Sequence, residues 1–172
     1  MIQTKKQPAS PKDAHQVYFI SKKRTSLPAA FKAVQGLIDD AIAKEKREIL
    51  VPYIDGAKHF VVVYAKSKSD EEANILEDIR ILGANLCRVA NAAGVKNLVL
   101  NTPTSILDKD ESLCFLEGLE LANYEFYKYK KGNKPSHALQ GVFINDKNIK
   151  EQSLDELNHL LDAVRFTKDI VN

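Results

Sequence analysis

The chain has 172 residues, enough for one domain that buries roughly 70% of the surface its unfolded form exposes. Hydrophobic residues make up 44% and charged residues 28%, the balance of an ordinary globular protein, and no run approaches the 18 or so apolar residues of a membrane span. A net charge of +2 is too mild to mark a dedicated nucleic-acid module and does not by itself demand an anionic partner.

Residues 1–12 contain no apolar core of signal-peptide length and are expected to form a disordered leading segment. The two cysteines, Cys87 and Cys114, have no metal-like spacing to other ligands and read as buried reduced thiols. A cytoplasmic location is the expectation. Residues 13–172 read as a single α/β domain. Val17-Tyr-Phe-Ile20 is its first strand. Ser26, followed by Leu27 and Pro28, opens a helix, because Ser caps and Pro is tolerated in the first turn. Phe31, Val34, Leu37, Ile38, Ala41 and Ile42 give that helix an apolar stripe, which Gly36 either interrupts or divides. Residues 48–53 and 58–64 flank Ile54-Asp-Gly-Ala57, a hairpin signal, since Gly accepts the positive φ of a type I′ turn. Pro52 cannot donate to a ladder, so its strand lies at an edge or ends there.

The stretch 59–101 is the nucleus of the domain. His59-Phe-Val-Val-Val-Tyr64 has the length and β-branching of a strand. From 69 to 94 the period is helical, with Ile75, Ile79, Leu82, Leu86, Val89 and Ala93 on one side. Ser69 and Glu72 make a capping box, and Gly94 stands where a left-handed C-terminal residue belongs. Lys96-Asn-Leu-Val-Leu-Asn101 is a second strand, which completes a right-handed βαβ crossover. After a loop, Asp110 or Ser112 starts a helix carrying Leu113, Leu116, Leu119 and Leu121. Residues 139–144 form another strand. Ser153, with Glu156 as box partner, caps a last helix with Leu154, Leu157, Leu161, Val164 and Ile170 on its inner stripe. The mostly alternating order predicts a three-layer α/β/α architecture around a mixed, mostly parallel sheet of five to six strands.

Chemistry is sparse. Seven glycines form neither Gly-x-Gly-x-x-Gly nor a P-loop, and no His-Glu-x-x-His, paired Cys-x-x-Cys or Gly-x-Ser-x-Gly occurs. The histidines are His15, His59, His137 and His159. His159, near Glu156, Asp155 and Asp162, has a metal-like spacing, but these residues lie opposite Leu157, Leu161 and Val164, where a solvated face belongs. His59 and His137 are ligands only if the sheet unites them; each reads first as a structural histidine. Adjacent Asp39 and Asp40 point in different directions and make a poor acid/base pair. The remaining candidate is the strap after 123. Tyr127 and Tyr129 interleave with Lys128, Lys130 and Lys131, flanked by Tyr124, Phe126 and Lys134, a pattern able to stack bases and neutralise phosphates. The plainer reading packs the rings on the helices and leaves the lysine heads in water.

This strap also carries a resemblance. Glu117-Gly-Leu-Glu-Leu-Ala-Asn-Tyr-Glu-Phe-Tyr-Lys-Tyr-Lys130 resembles the leucyl aminopeptidase family's Glu-Gly-x-x-Leu-(Gly/Ala)-x-Tyr-x-Phe-x-x-Tyr-Lys. The shared positions are Glu117, Gly118, Leu121, Ala122, Tyr124, Phe126, Tyr129 and Lys130. Gly36-Leu-Ile-Asp39 is similar to the family's early Gly-x-Leu-Asp. Ala163-Val-Arg-Phe-Thr-Lys-Asp-Ile-Val-Asn172 looks like its helix ending Ala-Arg-Asp-Leu-Val-Asn, with Thr167-Lys168 standing for Ala-Arg. The resemblance implies the family's N-terminal domain, with a macro-domain-like mixed sheet. It also implies that the two divalent metals (zinc or manganese) and all catalytic residues belong to a C-terminal peptidase domain absent from this chain. On that footing no catalytic, cofactor or metal residue is expected among these 172. The expected partners are the peptidase domain, met through the helix of 153–172, and other subunits of a homo-hexamer. Two rivals follow: a macro-like module binding ADP-ribose, for which a glycine-rich phosphate loop is missing, and nucleic-acid contact through the strap.

Overall fold

Alternation along the strands divides the core into two halves, one on each face of a single sheet. The computed structural model describes residues 3–6, 14–21, 27, 29–54, 57–64, 72–101, 106–124 and 139–171. In chain order the elements are β1 (Gln3–Lys6), β2 (His15–Ser21), a 3-10 helix (Ala29–Val34) continuing as α1 (Gln35–Ala43), β3 (Glu48–Ile54) and β4 (Ala57–Tyr64). Then come α2 (Glu72–Ala92), β5 (Asn97–Asn101), α3 (Lys109–Ala122), β6 (Gly141–Ile144) and α4 (Glu151–Val171). Val17 and Phe19 of β2, Phe60 and Val62 of β4, and Leu98 and Leu100 of β5 share one cluster with the inner residues of α2, α3 and α4. Ile20, Val61 and Val63 point the other way, to Phe31, Ile38 and Ala41 of the 3-10 helix and α1. Helices on both faces make the expected three layers.

The sheet order is β1-β6-β5-β2-β4-β3, with every pair parallel except β3 and β4. β3 is an edge strand, as Pro52 demands, and its register slips between Val51 and Ile54, beside the missing N–H. The Asp55-Gly56 turn and the Ser69 cap lie outside the described residues. The crossover of 59–101 is present, but its two strands are not neighbours: β2 lies between β4 and β5 and pairs with both.

Four expectations are corrected. Residues 3–6, placed in a disordered leader, form β1, parallel to β6 with Gln3 opposite Gly141. A backbone ladder at an edge needs no apolar pattern, and Gln-Thr-Lys-Lys supplies none. Leu37, expected on the apolar stripe, is exposed; its helix, expected as interrupted or divided, is divided near Val34, where a 3-10 turn ends (φ −115°) and α1 begins. α3 starts at Lys109 behind an Asp108 cap: the Asp108 carboxylate accepts from Glu111 N, and Asp108 N donates to Glu111 Oε2, both at 2.9 Å. Ser153 caps nothing. α4 begins at Glu151, Lys150 O accepts from Ser153 N, and Ile149 and Leu154 sit in one core cluster at the N′ and N4 positions of a hydrophobic staple.

The end of α2 is as read. Gly94 adopts φ 69°, with Gly94 N bonded to Asn91 O and Val95 N to Ala90 O, a Schellman motif. α2 and α3 cross at glycines. A Cβ on Gly83 would stand 2.0 Å from Phe115 O, and one on Gly118 the same distance from Arg80 O. At that crossing Arg80 Nε donates to Glu117 Oε2 at 2.8 Å.

Candidate functional site

The strap residues Tyr127, Lys128, Tyr129, Lys130 and Lys131 lie outside the described residues, as does His137. What the structure places are the residues that flank them in sequence, Asn123, Tyr124 and Leu139. Asn91 of α2 and Asn123, the C-cap of α3, form a clasp there. Asn91 Nδ2 donates to Asn123 Oδ1 (3.0 Å) and, at 3.5 Å, to Cys87 Sγ, while Asn123 Nδ2 donates to Leu139 O (3.0 Å) and Leu139 N to Asn91 Oδ1 (3.0 Å). Both backbone groups of Leu139 are thus satisfied by side chains from the ends of two helices. Tyr124, the last described residue before 139, turns to α4. Its hydroxyl donates to Asp169 Oδ1, and Lys168 Nζ sits 5.3 Å from the ring centroid. The bond to Asp169 favours the neutral phenol and, with burial and the carboxylate's charge, pushes the Tyr124 pKa up to about 12.

One turn earlier on α3, Glu120 is fully buried and accepts from Arg165 Nη2, while Arg165 Nη1 donates to Asp162 at 3.0 Å. The first half of α4 is fastened differently, by Leu154, Leu157 and Leu161 in the core. Its second half therefore turns charged groups inward. Val164 stays half-buried, but four other apolar residues face out: Leu160 is 56% exposed, Phe166 and Ile170 67% each, and Val171 79%. Ile170, expected on the inner stripe, is on the wrong side for that. The signal was present at Glu120, a carboxylate four residues after the buried Leu116 and adjacent to Leu119, which requires a cation from a neighbouring element.

At the carboxyl ends of the parallel strands, β2 leads to the helices of one face and β5 to α3 on the other. This is the reversal that opens a crevice in α/β sheets. Asn101, closing β5, donates to Gln16 Oε1 (2.8 Å) and accepts from Asn145 Nδ2 (3.2 Å). These amides can read neutral polar groups but bring no charge to a pyrophosphate. At the end of β4 the Tyr64 hydroxyl donates to Glu111 Oε1 at 3.0 Å, and burial first, then the Glu111 bond, raises the phenol pKa well above its usual value. His59 lies buried against the mutually packed rings of Phe31 and Tyr18, with centroids 5.5 and 6.1 Å away, a packing role. His159, Glu156 and Asp155 stand exposed on α4, and Glu156 accepts from Gln152 at 2.9 Å. Among the described residues no three His, Cys, Asp or Glu side chains converge on a point that could hold a metal ion, so these residues do not fit a metal pair. Asp39 accepts from Gln35 at 2.8 Å and forms no pair with Asp40. Neither cysteine forms a disulfide, and burial raises the Cys114 thiol pKa. No described helix is long and apolar enough to cross a membrane.

The fold is that of part of the leucine aminopeptidases. A mutant leucine aminopeptidase from tomato superposes with a TM-score of 0.62 at 12% identity, covering 95% of this chain and 37% of its own. The cytosol aminopeptidase of Coxiella burnetii gives 0.60 at 14%, covering 95% and 32%. The chain therefore spans about a third of the length of the solved structures it matches. No protein-family model and no curated protein matches its sequence.

Proposed function

We propose that this chain is the N-terminal, non-catalytic domain of a leucyl-aminopeptidase-like metallopeptidase, which organises an enzyme that removes N-terminal amino acids from peptides. One observation carries the reading: nearly all of this chain, yet only about a third of each aminopeptidase, shares the fold. The Glu117-to-Lys130 motif supports it, because Glu117 and Gly118 sit at the α2–α3 crossing that sets the shape of the domain. Turnover, and the zinc or manganese pair that serves it, would belong to a peptidase domain. This chain would contribute scaffolding, assembly with further subunits, and the shape of the access path. Purified protein with manganese and a leucyl-anilide should show no hydrolysis above a metal-only blank; turnover above that blank would refute the reading.

A second reading, a small-ligand module of the ADP-ribose-binding kind, has the strand reversal at β2 and β5 and the Gln16–Asn101–Asn145 amide chain in its favour. Calorimetric titration with ADP-ribose separates the two, and micromolar binding would promote this one. Contact with nucleic acid through the strap is tested by a duplex mobility shift. The shift should be salt-sensitive and lost when Lys128, Lys130 and Lys131 are all replaced by Glu.

A further inference from the structure

The corner where β3 begins, β4 ends and α3 starts holds polar groups whose bonding is incomplete. Arg47, the residue before β3, accepts from Val63 N at 2.7 Å through its carbonyl, which sets it beside the last residues of β4. Its guanidinium is drawn inward: Nε and Nη2 are both buried, and neither finds a hydrogen-bond partner among the described residues. Those two N–H groups lie on one edge of the guanidinium plane and point the same way, the fork that matches the two oxygens of a carboxylate. A buried donor left unbonded is costly, and a charged one more so, so this edge is built to receive an acceptor. Burial raises the pKa of Glu48 and of Tyr64, and the charge of Arg47 opposes that rise at both, so the guanidinium stands near each of them. A second orphan lies in the same corner. Ser112, next to Glu111 in the first turns of α3, is 2% exposed, and its hydroxyl has no partner among the described residues.

We infer that this corner is a binding site for a small zwitterion of the α-amino-acid type, with its carboxylate in the Arg47 fork and its ammonium on Glu48 and Glu111. The charges select that class. Glu111 takes the Tyr64 hydroxyl on one oxygen and Asp108 N on the other, and Glu48 accepts from Asn85 Nδ2 at 3.4 Å. A carboxylate has about four acceptor positions, so both can take further N–H groups. A phosphate monoester would bring nearly two negative charges among Glu48, Asp108 and Glu111, which repel it. A plain carboxylate fills the fork but meets the same repulsion, and a plain amine leaves the fork unbonded. The zwitterion adds no net charge and satisfies both signs. The corner also lies at the carboxyl end of β4, the side from which ligands enter α/β sheets. The site uses only residues of this chain and is independent of the aminopeptidase reading.

Proton–nitrogen NMR of the 172-residue chain, read at the arginine Nε–H signals, tests this. Titration with L-alanine should move the Arg47 signal saturably, with a dissociation constant of about a millimolar or tighter. Acetate, ethylamine and inorganic phosphate, each added alone, should bind at least roughly tenfold more weakly. Arg47→Lys keeps the charge but loses the fork, and should weaken L-alanine by roughly tenfold or more. Glu48→Gln supplies a second test should the first variant fail to fold. It should weaken L-alanine and strengthen acetate, a reversal that a purely structural residue would not produce. No saturable shift with L-alanine up to about 0.1 M, or equal binding by Arg47→Lys, overturns the site. Acetate or phosphate bound as tightly as L-alanine overturns the zwitterion as its ligand.

Discussion

Glu45 holds a backbone conformation that suits it poorly. It follows α1 with φ 56°, its N–H bonded to Ile42 O and that of Lys46 to Ala41 O, the same Schellman geometry that Gly94 gives α2. Glu45→Gly removes the Cβ crowding and should stabilise the chain by up to about 1 kcal/mol, or roughly 2–4 °C in melting temperature. Tyr64 makes a prediction with a sign. Its folded pKa lies above the ordinary 10.0, so above pH 10 the folded state retains a proton that the unfolded state releases, and stability falls as pH rises. Below that, the bond to Glu111 is intact. Urea melts at pH 8 and pH 11 should therefore show Tyr64→Phe less stable than the parent at the first and closing or reversing that gap at the second; a pH-independent difference would contradict it. Gly94 was legible from the sequence, since a glycine after a long periodic run has few other uses. Glu45 was not, because nothing in its identity announces a left-handed residue.

At the level of elements, α2 and α3 behave as one unit because backbone meets backbone. Gly83→Ala or Gly118→Ala inserts a methyl group 2.0 Å from a carbonyl oxygen of the partner helix, so the helices must separate. A loss of at least 1–3 kcal/mol is expected in denaturant melts, and an unchanged midpoint would mean the crossing is looser than this. The α3–α4 contact depends on a different force. Arg165→Ala removes the cation that faces the buried Glu120 carboxylate, at a cost of about 3–5 kcal/mol. Adding Glu120→Leu should recover most of it, which distinguishes an unpaired charge from lost packing. Helices with a clean period of 3.6 were readable, and so were the alternating strands. The glycine crossing was not, because a missing side chain leaves no pattern. The last turns of α4 were misread at Ile170, assigned to the inner stripe but 67% exposed, whereas Val164 of the same stripe is half-buried.

In the whole molecule, the three layers and the mixed sheet follow from the sequence, but the strand order does not. Placing β2 between β4 and β5 depends on contacts across 40 to 80 residues of chain, which local patterning does not encode. The strap was singled out in the sequence and lies outside the described residues, whereas the outward placement of Ile170 on α4 was not legible, because its helical period matches that of the inner stripe. β1 has a practical consequence for anyone handling the protein. Four polar residues near the amino terminus are what closes the open side of β6. Trimming residues 1–6 should bare that row of amide and carbonyl groups and bring on sheet-to-sheet clumping, visible as light scattering that grows with concentration. Purification handles therefore belong at the other end of the chain.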